Sequence, residues 1–221
     1  MNRSSGKLTV MLFSVALVAG LAAIALAITY RENGARPVLL PDRVISLLPE
    51  PKPLTAFSLT DHDGQPFDLA RLQGKWTFLF FGYTYCPDVC PTTLAQLARV
   101  HEKIAKQGNT GSNAQFVFVS VDPNRDTPSK LKKYVDYFDA GFVGVTGADR
   151  QIANLAGQLG ARYQVLIKPG SDSYPVNHTP AVYLVDPRAR FHAIFRPPYD
   201  PALISVRFER VRQLDAERNS G

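Results

Sequence analysis

The chain has two cysteines, Cys86 and Cys90, which lie four positions apart between an apolar run and a helix-period segment. The apolar run covers residues 77–81, and the helix-period segment covers residues 94–104. Four residues make close to one helical turn, so both sulfur atoms can face the same direction. A thiol pair where a buried strand turns into a helix is typical of a redox site or of a site for a soft metal ion.

The position and spacing of the pair define its chemistry. Near a helix N-terminus, unpaired backbone N–H groups and the helix dipole stabilise a thiolate. Two thiolates are soft ligands that select Cu(I) or Zn(II). Three intervening residues still allow a disulfide, so Cys86 and Cys90 are also candidate catalytic residues for thiol–disulfide exchange. Both chemistries stay open at this point.

The elements around the cysteines predict an α/β fold. Buried strands are expected over residues 76–83 and 116–121, and amphipathic helices over residues 94–104 and 131–138. A hairpin and a last helix follow, which gives a mixed sheet flanked by helices on both faces. A strand, a Cys-x-x-x-Cys pair, a helix and a later hairpin are the layout of a thioredoxin-like fold.

One of the four histidines is the candidate third ligand. His62 lies in a polar turn and is expected to be solvated. His101 stands 11 residues beyond Cys90, about 16 Å along a helix, which is too far to share an ion. His192 is expected to be structural within a strand. His178 precedes a buried strand, and in a thioredoxin-like fold the loop at that place passes beside the cysteine loop.

Two further features each have two interpretations. Pro180 is either the cis-proline of thioredoxin-like redox enzymes or an ordinary proline that opens a strand. The turn that contains Asp122, Arg125 and Asp126 is either a salt-bridged cap of the next helix or a surface for a partner.

Composition restricts the class of protein. The 221 residues are 45% hydrophobic and 20% charged, with a net charge of +6. The basic residues are scattered singly, which argues against nucleic-acid binding and indicates a solvated surface. Two cysteines cannot build a disulfide scaffold, and the chain is long enough for one domain with an ordinary core.

The N-terminal part predicts a membrane anchor and a linker. Residues 8–30 carry no charge and match the length of a bilayer-spanning helix. We expect residues 1–30 to be an uncleaved N-terminal anchor; a cleaved signal peptide is the alternative. Residues 31–53 contain five prolines and are expected to be an extended linker, with packing of the apolar second half on the domain as the alternative. Residues 54–215 then form the thioredoxin-like domain.

Three motifs together resemble the Sco/SenC family of copper-handling proteins of cytochrome c oxidase assembly. They are FGYTYCPDVCP at residues 81–91, VDPNRDTP at residues 121–128, and His178-Thr179 followed by YLVDP at residues 183–187. The resemblance implies a copper metallochaperone with Cys86, Cys90 and His178 as ligands of Cu(I) or Cu(II). It also implies a thioredoxin-like domain tethered to the cell inner membrane and exposed in the periplasm, with a copper-binding oxidase subunit or an assembly factor as partner. A membrane-tethered thiol–disulfide reductase of such a subunit is the alternative, so the sequence leaves open whether the protein is an enzyme.

Overall fold

The computed structural model describes Gly20 and residues 45–106, 113–166 and 174–219. The chain divides into two units, Met1–Pro41 and Asp42–Gly221, and every element given below lies in the second. The predicted anchor, residues 1–30, lies outside the described residues apart from Gly20. Within the described ranges, none of the helices combines the length and the apolar character needed to span a membrane.

The described residues form ten strands and five helices. The strands are β1 (Ile45–Pro53), β2 (Leu59–Asp61), β3 (Pro66–Phe67), β4 (Trp76–Gly82), β5 (Ala114–Ser120), β6 (Phe142–Thr146), β7 (Tyr163–Val165), β8 (Val176–His178), β9 (Val182–Val185) and β10 (Arg190–Phe195). The helices are α1 (Leu69–Leu72), α2 (Val89–Lys106), α3 (Pro128–Asp136), α4 (Asp149–Leu159) and α5 (Pro201–Asn219).

Eight of the strands form one mixed sheet in the order β1-β10-β9-β4-β5-β6-β2-β3. Strands β4, β5 and β6 are parallel, and the other pairs are antiparallel. β7 and β8 form a separate antiparallel pair. The predicted mixed sheet with flanking helices is confirmed.

The core lies on both faces of the sheet because β4 is apolar along its whole length. Phe78 and Phe80 point to the face covered by α2, α3 and α5, whereas Leu79 and Phe81 point to the face covered by α4. This packing fixes the C-terminal end of β4, from which the cysteine loop emerges.

The predicted linker, residues 31–53, ends earlier than expected. Its second half, Ile45–Pro53, is β1, which pairs with β10 at one edge of the sheet. Prolines are tolerated at a sheet edge because their missing N–H groups need no partner strand there. The alternative of packing on the domain is therefore the better description of these residues, and residues 31–44 lie outside the described ranges.

Candidate metal centre

The cysteine loop follows directly from β4. Cys86 lies in the loop and is partly exposed, whereas Cys90 is the second residue of α2 and is fully buried. The backbone N–H of Cys90 donates to Cys86 Sγ at 3.5 Å. The turn that leads into α2 therefore places one sulfur near the surface and the other behind it.

Gly82, the last residue of β4, makes room for the inner thiol. A Cβ atom at this position would lie 2.7 Å from Cys90 Sγ and 2.7 Å from a ring carbon of Phe118. Both distances are far below van der Waals contact, so the buried sulfur depends on the absence of a side chain here.

His178 ends β8 and reaches the buried thiol. Its Nε2 lies 3.3 Å from Cys90 Sγ, and its ring packs edge-on against Phe80 and Tyr83. The other ring nitrogen, Nδ1, lies 3.4 Å from the carbonyl oxygen of Thr179. A carbonyl only accepts hydrogen bonds, so this contact favours the proton on Nδ1 and leaves the Nε2 lone pair facing the sulfur.

The three side chains form one cluster. One potential ligand atom from each of Cys86, Cys90 and His178 lies within 4.8 Å of the others. Topology explains the convergence, because β9 runs antiparallel to β4 and brings the residues that precede it to the end of β4 where the cysteine loop begins. Two sulfurs and one imidazole nitrogen are a donor set that suits Cu(I).

The environments of the two thiols push their pKa values apart. A hydrogen bond from the Cys90 thiol, with further bonds from the backbone N–H groups of Asp88 and Cys90, lowers the pKa of Cys86 to about 4 although partial burial opposes this. The hydrogen bond with Cys86, together with burial, strongly raises the pKa of Cys90. At neutral pH the outer sulfur is a thiolate and the inner one is a thiol.

A buried carboxylate anchors the cysteine loop. Asp126 accepts hydrogen bonds from the backbone N–H of Thr84 at 2.9 Å, from the Thr84 hydroxyl at 2.5 Å and from the Ser120 hydroxyl at 2.7 Å. Thr84 stands two residues before Cys86. Asp126 therefore ties the loop to the end of β5, the strand that runs parallel to β4.

Arg125 joins this anchor to the strand that carries His178. Its guanidinium lies 3.5 Å from the centre of the Tyr174 ring and within 5.8 Å of the rings of Tyr83 and Tyr85. It also pairs with buried Asp122 and donates to the Tyr174 carbonyl oxygen at 3.0 Å. One cation thus contacts both the cysteine loop and Tyr174, which lies two residues before β8.

Comparison with known proteins identifies the family. The SCO1/SenC family model matches residues 49–213. The chain belongs to the SCO1/SenC family.

Both protein sequences and solved structures are similar to this SCO1/SenC chain. A protein of Stutzerimonas stutzeri is 37% identical over 163 residues, 74% of this chain and 78% of that protein. Protein SCO1 homolog 1, mitochondrial, of Arabidopsis thaliana is 39% identical over 135 residues, 61% of this chain but 40% of that protein. The crystal structure of Arabidopsis thaliana ScoI with copper bound is 34% identical, has a TM-score of 0.66, and covers 72% of this chain and 98% of that chain. The chain thus spans less than half of the length of the mitochondrial protein. The similarity to the copper-bound structure confirms the predicted thioredoxin-like fold.

The other histidines of the SCO1/SenC chain lie apart from the cluster. His101 pairs with Asp139 at 2.7 Å, and His192 is buried against Trp76, so both are packed as predicted. The prediction that His62 is solvated is wrong. Its side chain is only 11% exposed, and its Nδ1 accepts from the backbone N–H of Gly144 at 3.1 Å.

Of the two interpretations of Pro180, the cis-proline is the one that the structure contradicts. Within the described ranges, the cis peptide bond is the one between Pro197 and Pro198. Pro180 precedes β9, so its alternative interpretation, a proline that opens a strand, is correct.

A second group with potential ligand atoms is a network of ion pairs. Asp186, His192 and Asp215 have such atoms within 4.8 Å of one another. Arg190 lies 2.6 Å from Asp186 and 3.2 Å from Asp215, and Arg188 lies 2.6 Å from Asp215. These guanidinium groups already neutralise the carboxylates, so the arrangement suits structural support of the hairpin between β9 and β10.

The sequence patterns did not predict that tyrosines surround the candidate metal centre. The motif residues Asp122, Arg125 and Asp126 pointed to a salt-bridged turn, and their ion pairs agree with that interpretation. Nothing in the local pattern indicated that Tyr83 and Tyr174 stack on Arg125, because Tyr174 is 49 residues away from Arg125 in the chain.

Proposed function

We propose that this chain is a copper metallochaperone that delivers copper to cytochrome c oxidase during assembly of the oxidase, with Cys86, Cys90 and His178 as ligands. The observation that carries the proposal is the 3.3 Å contact between Cys90 Sγ and His178 Nε2, with Cys86 Sγ in the same cluster. Family membership supports it, and the Arabidopsis relative was solved with copper bound.

The donor set explains which oxidation state is favoured. Two sulfurs and one imidazole match the preference of Cu(I) for soft donors, and a sulfur or nitrogen from a partner, as a fourth ligand, converts the site into a shared one. Cys86 already carries the thiolate, and binding of the ion at Cys90 releases its proton. The same ligands can hold Cu(II), with the imidazole as the harder donor.

The partly exposed side of the site, at Cys86, is where the copper ion can leave it. The partner's ligands approach from the side of this partly exposed sulfur, while Cys90 stays buried behind it. In this proposal residues 8–30 anchor the chain in the cell inner membrane, so the domain meets a membrane-bound oxidase subunit in the periplasm.

Replacing His178 with Ala tests the proposal. Loss of outer-shell partners of a metal ligand typically costs about 10- to 100-fold in affinity, so loss of a ligand should weaken copper binding by about 100-fold or more. Copper affinity is measured by competition with a chelator in the presence of reductant. The matched control is His101→Ala, which removes a packed histidine outside the cluster and should leave the affinity unchanged. An affinity for copper that is equal in His178→Ala and in the wild-type chain would falsify the assignment of this ligand.

A second candidate function is thiol–disulfide reduction of a partner's copper-binding cysteines. An outer thiolate at Cys86 with a buried thiol at Cys90 behind it is the arrangement of an attacking and a resolving cysteine. Cys86 would attack one sulfur of the partner's disulfide and release the other as a thiolate. Deprotonated Cys90 would then attack Cys86, release the partner's second thiolate and leave a Cys86–Cys90 disulfide, so two electrons pass to the partner.

The pH dependence of thiol alkylation tests this second function. Because the thiolate is the nucleophile, the alkylation rate of Cys86 in the reduced, metal-free chain should stay constant from pH 8 to about pH 5 and fall as the pH drops through about 4. Cys90 should react far more slowly at every pH in this range. Peptide mapping by mass spectrometry after iodoacetamide treatment separates the two sites. A Cys86 rate that drops about tenfold per unit below pH 8, as for an ordinary thiol, would contradict the reductase assignment.

A further inference from the structure

Two exposed tyrosines flank the cysteine loop. Tyr85, which directly precedes Cys86, is 56% exposed, and Tyr137, which directly follows α3, is 83% exposed. Large exposed apolar side chains are few among the described residues, and these two are the aromatic ones. Single exposed aromatics are ordinary, but both of these line the same groove.

Lysines line the same groove. Its full lining is Thr84, Tyr85, Lys130, Lys133, Tyr134 and Tyr137, and we call it the tyrosine–lysine groove. The ammonium group of Lys130 lies 3.5 Å from the centre of the Tyr85 ring. Lys133 is exposed and makes no ion pair with any residue that the structure describes.

The charges near the groove leave its surface cationic. Lys130 lies 3.6 Å from the buried carboxylate of Asp126, which offsets part of its charge, so Lys133 supplies most of the positive charge of the groove. Lys132 pairs with Asp63 away from the groove, and exposed Asp136 is not among the lining residues. No carboxylate lines the groove, whose charged atoms are two ammonium groups.

We propose that the tyrosine–lysine groove docks an acidic segment of the protein that exchanges copper with this chain. Tyrosines provide contact area and hydrogen bonds at interfaces, and rim lysines attract carboxylates and accelerate association. The segment that fits has carboxylates on either side of an apolar or aromatic side chain. This inference rests on the proposed function, because it assigns the docking site of the same copper exchange. A partner held at Tyr85 has its own ligands next to Cys86.

Two lining residues of the groove lie outside the metal cluster. Lys133 and Tyr137 do not belong to the cluster of Cys86, Cys90 and His178. Variants of these two residues should therefore keep the wild-type copper stoichiometry, and any change in transfer then reports docking.

The test uses the full chain loaded with Cu(I) and the metal-free copper-binding domain of a cytochrome c oxidase subunit as probe. Binding is measured by calorimetry and mapped by NMR, and copper transfer is followed by stopped flow. We expect Lys133→Glu to slow association about tenfold at low salt, with the difference vanishing as added salt screens the charges. Tyr137→Ala should weaken binding about tenfold or more at all salt concentrations.

Lys103→Glu is the matched control. Lys103 is an exposed lysine near the other end of α2 from Cys90, about 20 Å along the helix. The same charge reversal there should leave binding and transfer within twofold of wild type.

The outcomes separate the groove from the proposed function. The docking proposal is wrong if binding maps to another surface, if no binding is detected, or if both groove variants bind like the wild type. If all variants transfer copper at the same rate, the docking proposal is wrong, whereas the proposed copper delivery is still supported. Binding through the groove without copper transfer supports the groove and overturns delivery to this subunit.

Discussion

At the scale of single residues, the metal centre depends on a position that has no side chain. Gly82 allows Cys90 Sγ and the Phe118 ring to approach the backbone of β4 closely. The buried thiol thus occupies space that any other residue type would fill, and both sulfur geometry and stability depend on it.

Replacing Gly82 with Ala should destabilise the fold by about 1–3 kcal/mol, the usual cost of overpacking a core. Urea unfolding measures the change, and copper competition should show weaker binding because Cys90 is displaced. Gly157→Ala is the matched control. A Cβ at this position in α4 meets nothing within 4 Å, so the substitution should raise stability by about 0.5–1 kcal/mol. Equal stability of the two variants would show that the close approach at Gly82 is not tight.

The sequence indicated the candidate ligands at the residue scale but not their surroundings. The spacing of Cys86 and Cys90 and the strand after His178 are local patterns that can be read from the chain. Burial of His62 was missed because its partner, Gly144, lies 82 residues away in the sequence. Contacts of this kind depend on strand order, which local patterns do not specify.

At the scale of elements, the metal centre is the meeting place of three segments. The cysteine loop follows β4, the turn that contains Arg125 follows β5, and His178 ends β8. From its turn, where it pairs with Asp122, Arg125 contacts the cysteine loop through the rings of Tyr83 and Tyr85 and contacts Tyr174, two residues before β8. We therefore regard Arg125 as a positioning residue that sets the distance between the thiols and the imidazole.

Arg125→Lys keeps the charge but loses the planar stacking and the fork of donors. We expect copper affinity to fall about tenfold, in line with the loss of an outer-shell partner. The sulfur-to-Cu(II) absorption band should also shift, which a purely structural loss would not cause. Arg71→Lys is the matched control, because Arg71 also pairs with a buried carboxylate, Asp61, and lies over a ring, Phe67. If the two variants behave alike, Arg125 does not position the ligands.

Most elements could be predicted from periodicity, and the exceptions have physical causes. The apolar run of β4 and the buried faces of α2 and α5 follow the expected patterns. β1 was missed because prolines argue against a strand, yet its position at the sheet edge accommodates them. The short pair of β7 and β8 has too few residues to show a period.

At the scale of the whole molecule, an ion-pair network supports the end of the sheet opposite the metal centre. Asp186 follows Val185, which pairs with Thr77 at the start of β4, whereas the cysteines follow the end of that strand. Asp186 is buried and accepts from the backbone N–H groups of Arg188 and Arg190. Stability and metal binding are therefore supported at different ends of one sheet.

The network predicts a pH-dependent part of the stability. Burial opposes ionisation of Asp186, but the His192 ring 3.6 Å away, together with hydrogen bonds from the Arg190 side chain and from backbone N–H groups, outweighs it and lowers the pKa of Asp186 to about 2. Because the folded-state pKa lies below the unfolded value of 3.8, the contribution is complete above about pH 4 and disappears as the pH falls through about 2. The size of this contribution is about 2 kcal/mol.

Asp186→Asn removes this contribution. Its stability deficit relative to wild type should shrink by about 2 kcal/mol between pH 6 and pH 2, as measured by urea unfolding at a series of pH values. Copper affinity at pH 7 should equal that of wild type because the network lies at the other end of β4. A deficit that does not change with pH would mean that Asp186 acts through packing and not through its charge.

The imidazole donor belongs to a small sheet that is separate from the large one. The two sulfur donors are instead fixed to the central strand and its helix. His178 can therefore move away from the two sulfurs without any opening of the eight-stranded sheet. In the proposed copper delivery, this division lets the ion exchange its ligands one at a time with those of a partner, without release into water.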